Sequence, residues 1–394
     1  MKIRLTVIAV LAVLFAALCL TTAAADTSGT DGNIRWVLTD EGALTLSGNG
    51  AMNDYYDTDP PWGKDIKSLV VKNGITSIGI FAFLNCENLA SISLPTSLRE
   101  IRYCAFYGCR GLTNVSIPEG VTSIRSEAFH FCDHLVSVTL PESLESLEYR
   151  SFAACGNLAG ITIPGKVKTV CQEAFADCWN MTRVTISEGV TKLEWGAFAE
   201  CSLTSVTLPN SLETICDHAF FDGRMTSIII PASVKNIEDG AFMCCEKLAN
   251  AYIYNPETIF EDGSFDSYTD LTVWGYSGST AQAYAEENNH KFEVLTEMGE
   301  PDYILPDDLR KIDAEAFSNI KARVVFIPDG VTTLGSKTFA NNASLRQIRF
   351  PETVASIPSD IFDGIPKNQL IIFAPQESAA EAFAIAEGIR YVPE

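Results

Sequence analysis

Histidine is scarce in this chain, four in 394 residues, and the motifs that usually place catalytic groups are missing. There is no Gly-x-Ser-x-Gly elbow, His-Glu-x-x-His helix, phosphate-cradling glycine loop or dinucleotide fingerprint. Nucleophilic hydrolysis, zinc proteolysis and nucleotide chemistry therefore lack their usual carriers. Basic residues are also in deficit: 28 Lys plus Arg stand against 50 Asp plus Glu, a net charge of −22. Such a field repels nucleic acid and anionic lipid. Acidic pairs abound for the same reason, but acid–base catalysis needs fixed groups with separated pKa values, which abundance does not supply. Beyond about residue 20 no apolar run is long enough to span a bilayer.

What is present begins with "MKIRLTVIAVLAVLFAALCLTTAAADTSG". Lys2 and Arg4, an apolar run to about Leu20 and the small residues Ala23-Ala24-Ala25 have the order of a secretory signal, with cleavage expected before Asp26. Removing residues 1–25 leaves 26 Lys plus Arg against 50 Asp plus Glu, about −24. The expected location is secreted or extracellular, including association with the cell surface, and without membrane insertion once the signal is removed.

Phenylalanine then recurs at Phe83, Phe106, Phe129, Phe152, Phe175, Phe198, Phe220, Phe242 and Phe265, every 22 or 23 residues, and again at Phe317, Phe339 and Phe362. One unit reads "CRGLTNVSIPEGVTSIRSEAF". Leu112, Val115 and Ile117 alternate with Asn114 and Ser116, which turns three apolar groups inward and two polar groups outward on a short strand. Pro118, lacking an amide hydrogen, ends the pairing, Gly120 helps the chain turn, and Val121 and Ile124 face inward again. The "SEAFHFC" segment is too short for an independent helix and predicts one tight helical or 3₁₀ turn that drops Phe129 inward. No such unit can bury its own apolar side, whereas stacked coils can, so the repeat predicts a solenoid.

The pattern "L..I.IP..V..I...AF..C..L" resembles the BspA-like, or Treponema pallidum type, leucine-rich repeat family. The lead-in "IRWVLTDEGALTLSGNGAMNDYYDTDPPWGKDIKSLVVKNGITSIG", with Leu46-Ser47-Gly48 and Pro61-Trp62, is similar to what precedes the repeats there. The resemblance spans nearly the whole mature chain. It implies an α/β solenoid, a leucine-rich repeat superhelix of 22- to 23-residue coils, and a bacterial surface or secreted protein acting in adhesion or in binding host and matrix proteins.

The expected organisation is a signal peptide at 1–25, an N-terminal β cap at 26–65, a nine-unit repeat block with its closing segment at 66–298, and a second block of three repeats with closing segment at 299–394. A polar cap is needed because an open solenoid end exposes apolar surface and unpaired edges. A hairpin is expected to turn near Asp40-Glu41-Gly42. Each block should close in a strand-helix-strand element, since Ser279, Ala281, Tyr284, Ala285 and Phe292 recur 99 positions later as Ser378, Ala380, Phe383, Ala384 and Tyr391. The acidic, Gly- and Pro-containing stretch around Pro301 marks the boundary. Because three short units make a marginal core, the second block is expected to continue the array with a slight offset.

Cys86, Cys109, Cys132, Cys155, Cys178 and Cys201 fall every 23 residues, and Cys245 resumes the row after Gly223. Replacement by Tyr268, Ile320, Asn342 and Ile365 in later units favours packing over ligation, and a spacing of 23 is unlike a zinc site. A buried column of reduced thiols is the favoured reading, with disulfides between adjacent coils as its competitor in an exported protein. Off-row Cys104, Cys171, Cys216 and Cys244 have no ready explanation. "HFCDH", with His130, Cys132 and His134, lacks a fourth ligand, and Asp54, Asp57 and Asp59 lack the glycine and terminal Glu of a calcium loop. No catalytic, cofactor or metal residue is assigned.

The outward strand rows carry the clue to function. Ser91, Asn114, Ser137, Gly160, Arg183, Ser205, Ser227 and Asn250 form one row; Ser93, Ser116, Thr139, Thr162, Thr185, Thr207, Ile229 and Tyr252 form the other. Small hydroxyl residues leave a flat face. Anchors for a partner are expected at Arg183, Ile229, Tyr252 and Tyr254, since Arg and aromatic residues dominate interfaces. The reading is a non-enzymatic module binding a host, matrix or envelope protein. The alternative is a carbohydrate-directed or structural envelope component.

Overall fold

The computed structural model describes residues 26–261, 263–265, 270–295, 301–306 and 308–393. Residues 1–25, expected to be a signal peptide, Tyr268 of the cysteine-equivalent row and residues 296–300 of the connector lie outside these.

Strict alternation makes the principal ladder. Val115 and Ile117 are buried while Asn114 and Ser116 are exposed, and Asn114–Ser116 pairs in parallel with Ser137–Thr139, Asn114 opposite Ser137. The same one-repeat register sets Gly160 opposite Arg183, Arg183 opposite Ser205, and Ser227 opposite Asn250. The residues after each proline form a second ladder, a 10-stranded parallel sheet of two- to four-residue strands running from Gly50–Ala51 to Ile259–Phe260.

The third side is not helical. Among the described residues only two α-helices occur, Thr280–Glu287 and Ala379–Glu387, so the α/β expectation gives way to a parallel β-solenoid whose coils close through tight turns. The cause is local. Glu127 and Phe131, two residues either side of Phe129, hold φ of 57° and 58°, and the same left-handed positions recur at Arg150 and Ala154 and at Glu173 and Asp177. Left-handed residues interrupt helical propagation and cost each L-residue about 1–2 kcal/mol. In return they aim amides along the solenoid axis: Glu127, Phe129 and Phe131 donate to the carbonyls of Tyr149, Ser151 and Ala153 in the next coil. The one-turn expectation for "SEAFHFC" survives only as i to i+3 bonds, such as Ala128 N to Arg125 O at 3.2 Å.

Inside the three ladders the phenylalanines stack. From Phe83 to Phe265 successive ring centroids lie 5.0 to 5.7 Å apart with interplanar angles of 3° to 15°. Trp62 supplies the first rung, stacked 5.8 Å from Phe83, and its indole N–H donates to the Ala82 carbonyl at 3.2 Å. Ahead of it Thr27–Asp31, Ile34–Leu38 and Ala43–Gly48 form an antiparallel meander, with Gly42 at φ 86° in the second turn, and Ala43–Gly48 starts the parallel stack by pairing with Ser68–Val71.

The far end is closed by the helix Thr280–Glu287, capped by Ser279. Its Tyr284 hydroxyl accepts from the buried Phe265 amide at 3.0 Å, the rings 6.0 Å and 62° apart. In the second block Phe383 sits against Phe362 at 6.1 Å and 58°, nearly the same pose without a hydroxyl. The Phe362 amide has no partner among the described residues. Phe383→Tyr should therefore stabilise the second block by about 1 kcal/mol, the net value of one hydrogen bond. Amide exchange at Phe362 should slow several-fold; unchanged exchange would contradict the assignment.

The second block does not continue the array. Tyr303–Ile304, Val324–Phe326, Gln347–Arg349, Ile371–Ala374 and Arg390–Pro393 form a five-stranded sheet of their own over a separate core. Stacking on the first block is forestalled because Lys291–Val294 already pairs with its last coil strand, Thr272–Gly275. Instead the two principal sheets meet face to face. Ile229, Tyr252, Tyr254 and Leu295 pack with Val324, Phe326 and Phe373 in one buried cluster, flanked by Trp274, Tyr276, Ile371 and Val392. Alternation produces both faces: Ala251 and Ile253 point into the first core while Tyr252 and Tyr254 point out, and Ile372 and Ala374 point into the second core while Phe373 points out. This face-on packing replaces the offset array expected from the repeat.

Candidate partner-binding face

Docking of the second block divides the principal strand face in two. From Ser91 to Thr185 the outward Ser, Asn and Thr side chains remain largely exposed. From Ser205 onward they pass under the second block, and Ser205 itself is buried.

The four expected anchors are split by this division. Arg183 is exposed, and its guanidinium forms no hydrogen bond or ion pair among the described residues. It lies between Gly160 and Ser205 in register. A Cβ added at Gly160 would stand 3.0 Å from the Arg183 carbonyl oxygen, so the missing side chain leaves an open step beside the guanidinium stem. Arg183, Thr139, Thr162, Thr185 and Glu142 line a shallow groove of about 490 Å³ there. Ile229, Tyr252 and Tyr254 are 9%, 6% and 3% exposed, so a partner reaches them only if the second block moves.

Where the cover begins, Arg349 of the second block pairs with Asp329 at 2.9 Å and holds its guanidinium 6.0 Å from the centroid of Tyr252. Its side chain is 12% exposed, so the pair is partly desolvated and ties the edge of the cover to the first sheet. Sequence reasoning did not find Arg349, because its role depends on the placement of the second block.

The thiol column is structural. Cys109, Cys132, Cys155, Cys178 and Cys201 donate their S–H to the carbonyls of Phe83, Phe106, Phe129, Phe152 and Phe175 at 3.1 to 3.4 Å. Each thiol thus donates to a buried carbonyl one coil back. Burial raises the thiol pKa from Cys86 to Cys201, to about 12 at Cys86 and well above the ordinary value at Cys155 and Cys201, which keeps these groups protonated and unreactive. Among the described residues no two cysteines form a disulfide. Off-row Cys104 points to the Glu127 carboxylate at 3.8 Å.

"HFCDH" does not converge. Cys132 is turned into the core, His130 stacks on Phe131 at 4.1 Å, and burial lowers the His130 pKa. The acidic loop of the cap is likewise dispersed. Asp54 accepts from the Ile80 amide at 2.8 Å and pairs with Arg102, whereas Asp59 pairs with Lys64 at 3.0 Å. Asp54 in turn opens a ladder of charge in which Arg102 meets Glu100, Glu100 meets Arg125, and Arg125 meets Glu148.

The repeat is matched by a family model and by solved structures. The family model described as BspA type leucine rich repeat region matches residues 62–182, 168–286 and 299–387. A leucine-rich repeat protein from Bacteroides ovatus has a similar fold, with 22% identity, a TM-score of 0.51, and coverage of 94% of this chain and 98% of that one. A leucine rich cell surface protein from Faecalibacterium prausnitzii matches at 21% identity over 93% of this chain and 99% of its own, with a TM-score of 0.35. A leucine-rich repeat protein from Treponema pallidum matches at 20% identity over 68% of this chain and 98% of its own, with a TM-score of 0.33. No curated protein matches the chain. Among the described residues no helix is long and apolar enough to cross a membrane.

Proposed function

Because this chain belongs to the BspA-type leucine-rich repeat family, whose solenoid is a non-catalytic scaffold, we propose that it is a secreted or surface-associated module that binds a protein partner. The partner lies along the open strand face from Ser91 to Thr185 and abuts the edge of the second block. The observation that carries this reading is the exposed, unpaired Arg183 at the point where the open face meets its cover. Flat hydroxyl rows accept a broad surface, and an Arg at their end supplies the directional contact. Ile229, Tyr252 and Tyr254 extend the same face beneath the second block, and they join the site only in a state in which that block is displaced.

The test is quantitative binding to fractionated extracellular-matrix and envelope proteins, comparing the unaltered chain with Arg183→Ala and with Thr139→Lys plus Thr162→Lys. Loss of an Arg hot spot costs at least about 2 kcal/mol, roughly thirtyfold in Kd. Binding that neither variant weakens would remove the open face from consideration.

A further inference from the structure

On the turn side of the solenoid, away from the principal strand face, the residue three before each core phenylalanine forms an outward row. Between Ile80 at one end and Asp217 and Asp239 at the other, it runs Tyr103, Ser126, Tyr149, Gln172, Trp195 over five coils. Over these five coils an aromatic residue occupies every second coil, and a small or amide side chain occupies each coil between. The row is vertical: the carbonyls of Ser126, Tyr149, Gln172 and Trp195 accept from the amides of Cys104, Glu127, Arg150 and Glu173 one coil below. Coils hydrogen-bonded in this way stand about 4.8 Å apart, so alternate coils set aromatic rings about 10 Å apart. Tyr103 and Trp195 are 38% and 41% exposed, and Tyr149 is half-buried.

Each ring is also braced. Tyr103 packs edge-on against Phe81 at 5.4 Å, the Arg150 guanidinium lies 5.0 Å from the Tyr149 centroid, and Trp195 meets His218 at 6.0 Å. A ring fixed on one side presents its free side at little entropic cost.

Polar groups with unused capacity flank the row. Arg102 and Arg125 use Nε and Nη1 on the carboxylates of Asp54, Glu100 and Glu148, and the Nη2 of each has no partner among the described residues. The Gln172 side-chain amide is likewise without one, and it is exposed. Tyr103, Arg102, Arg125, Ser126 and Glu148 line a common groove of about 460 Å³.

We propose that Tyr103, Tyr149 and Trp195 form a stacking track for a neutral β-1,4-linked polysaccharide, with the flanking guanidinium and amide groups donating to its hydroxyls. In an extended β-1,4-linked pyranose chain with a two-fold screw, successive sugars turn over and alternate sugars present the same face, as alternate coils here present a ring. Aromatic rings are suited to such contacts because they join an apolar face to a polar rim. A polyanionic glycan is disfavoured by the net charge of −22. This track is separate from the strand face and stands or falls independently of the protein-binding reading.

The test uses the mature full-length chain with cellohexaose, mannohexaose, xylohexaose and N-acetylchitohexaose, each measured by isothermal titration calorimetry, with maltohexaose as an α-linked comparison. Saturable binding of at least one β-1,4 hexamer is expected, at least tenfold tighter than its dimer and than maltohexaose. Tyr149→Ala should weaken that binding at least tenfold, and Tyr149→Phe should restore most of it. Trp179→Ala, at an exposed aromatic outside the row, should leave it unchanged. Thermal unfolding midpoints equal to that of the unaltered chain establish that these surface variants are folded. Failure of all four β-1,4 hexamers to bind overturns the proposal, as does binding that persists undiminished in a Tyr103→Ala, Tyr149→Ala, Trp195→Ala triple variant.

Discussion

Phe373→Asp should detach the second block from the first while leaving both folded. Phe373 is fully buried, yet it lies outside the second block's own core. Its strand neighbours Ile372 and Ala374 point into that core, whereas Phe373 packs with Ile229, Tyr252, Tyr254 and Phe326. A carboxylate at this place is desolvated among these rings, and the cation in register beside it, Arg349, is already paired with Asp329 at 2.9 Å, so the added buried charge costs several kcal/mol. Loss of the ring itself costs about 3–5 kcal/mol. The two penalties fall on the contact between blocks, so the blocks should separate instead of unfolding. Small-angle scattering should show a larger radius of gyration, and far-ultraviolet circular dichroism should be unchanged. A compact variant with unaltered scattering would mean that the face-to-face cluster does not hold the blocks together.

Phe175→Ala should cost about 3–5 kcal/mol, the range for removing a fully buried Phe ring. Phe175 lies between Phe152 at 5.6 Å and Phe198 at 5.4 Å, nearly parallel to both, and its carbonyl accepts the Cys201 thiol at 3.2 Å. A solenoid couples each coil only to its neighbours. A void in one rung therefore weakens the joint between the coils below and above it, and urea unfolding should lose cooperativity as well as midpoint. By contrast Cys178→Ala removes one S–H donor and little volume, and should cost on the order of 1 kcal/mol. Equal penalties for the two variants would contradict a stack in which the rings carry the stability and the thiols donate to carbonyls.

The repeat made the inner columns legible. A period of 22 or 23 residues fixed which side chains stack, and alternation on strands such as Asn114–Ser116 fixed which face inward. The turn side was harder to read. Glu127, Arg150 and Glu173 hold left-handed backbone without being glycine, and nothing in those residue types distinguishes an axial hydrogen-bond ladder from a helical turn. The thiol column was legible as packing, but its donation to the Phe carbonyls required the coil-to-coil geometry.

The placement of the second block was written in the sequence in a form that local pattern reading could not join. Outward positions change from Ser and Thr to Ile229, Tyr252 and Tyr254 in the first block, while Val324, Phe326 and Phe373 occupy the matching positions in the second. Each row reads by itself as an exposed anchor. Only together do they read as two halves of one interface, which is why three of the four expected partner contacts lie under the cover and Arg183 remains outside it.

Hydroxyl-radical footprinting of the intact protein tests that division most directly, because it reads the solvent exposure of individual aromatic side chains in one experiment. Tyr56, 65% exposed, and Trp179, 57% exposed, should be oxidised rapidly, while Tyr252 and Tyr254, at 6% and 3%, should be protected until the protein is denatured. Oxidation of Tyr252 and Tyr254 at the rate of Tyr56 would show that the whole strand face is open and would contradict the arrangement on which the proposed binding face rests.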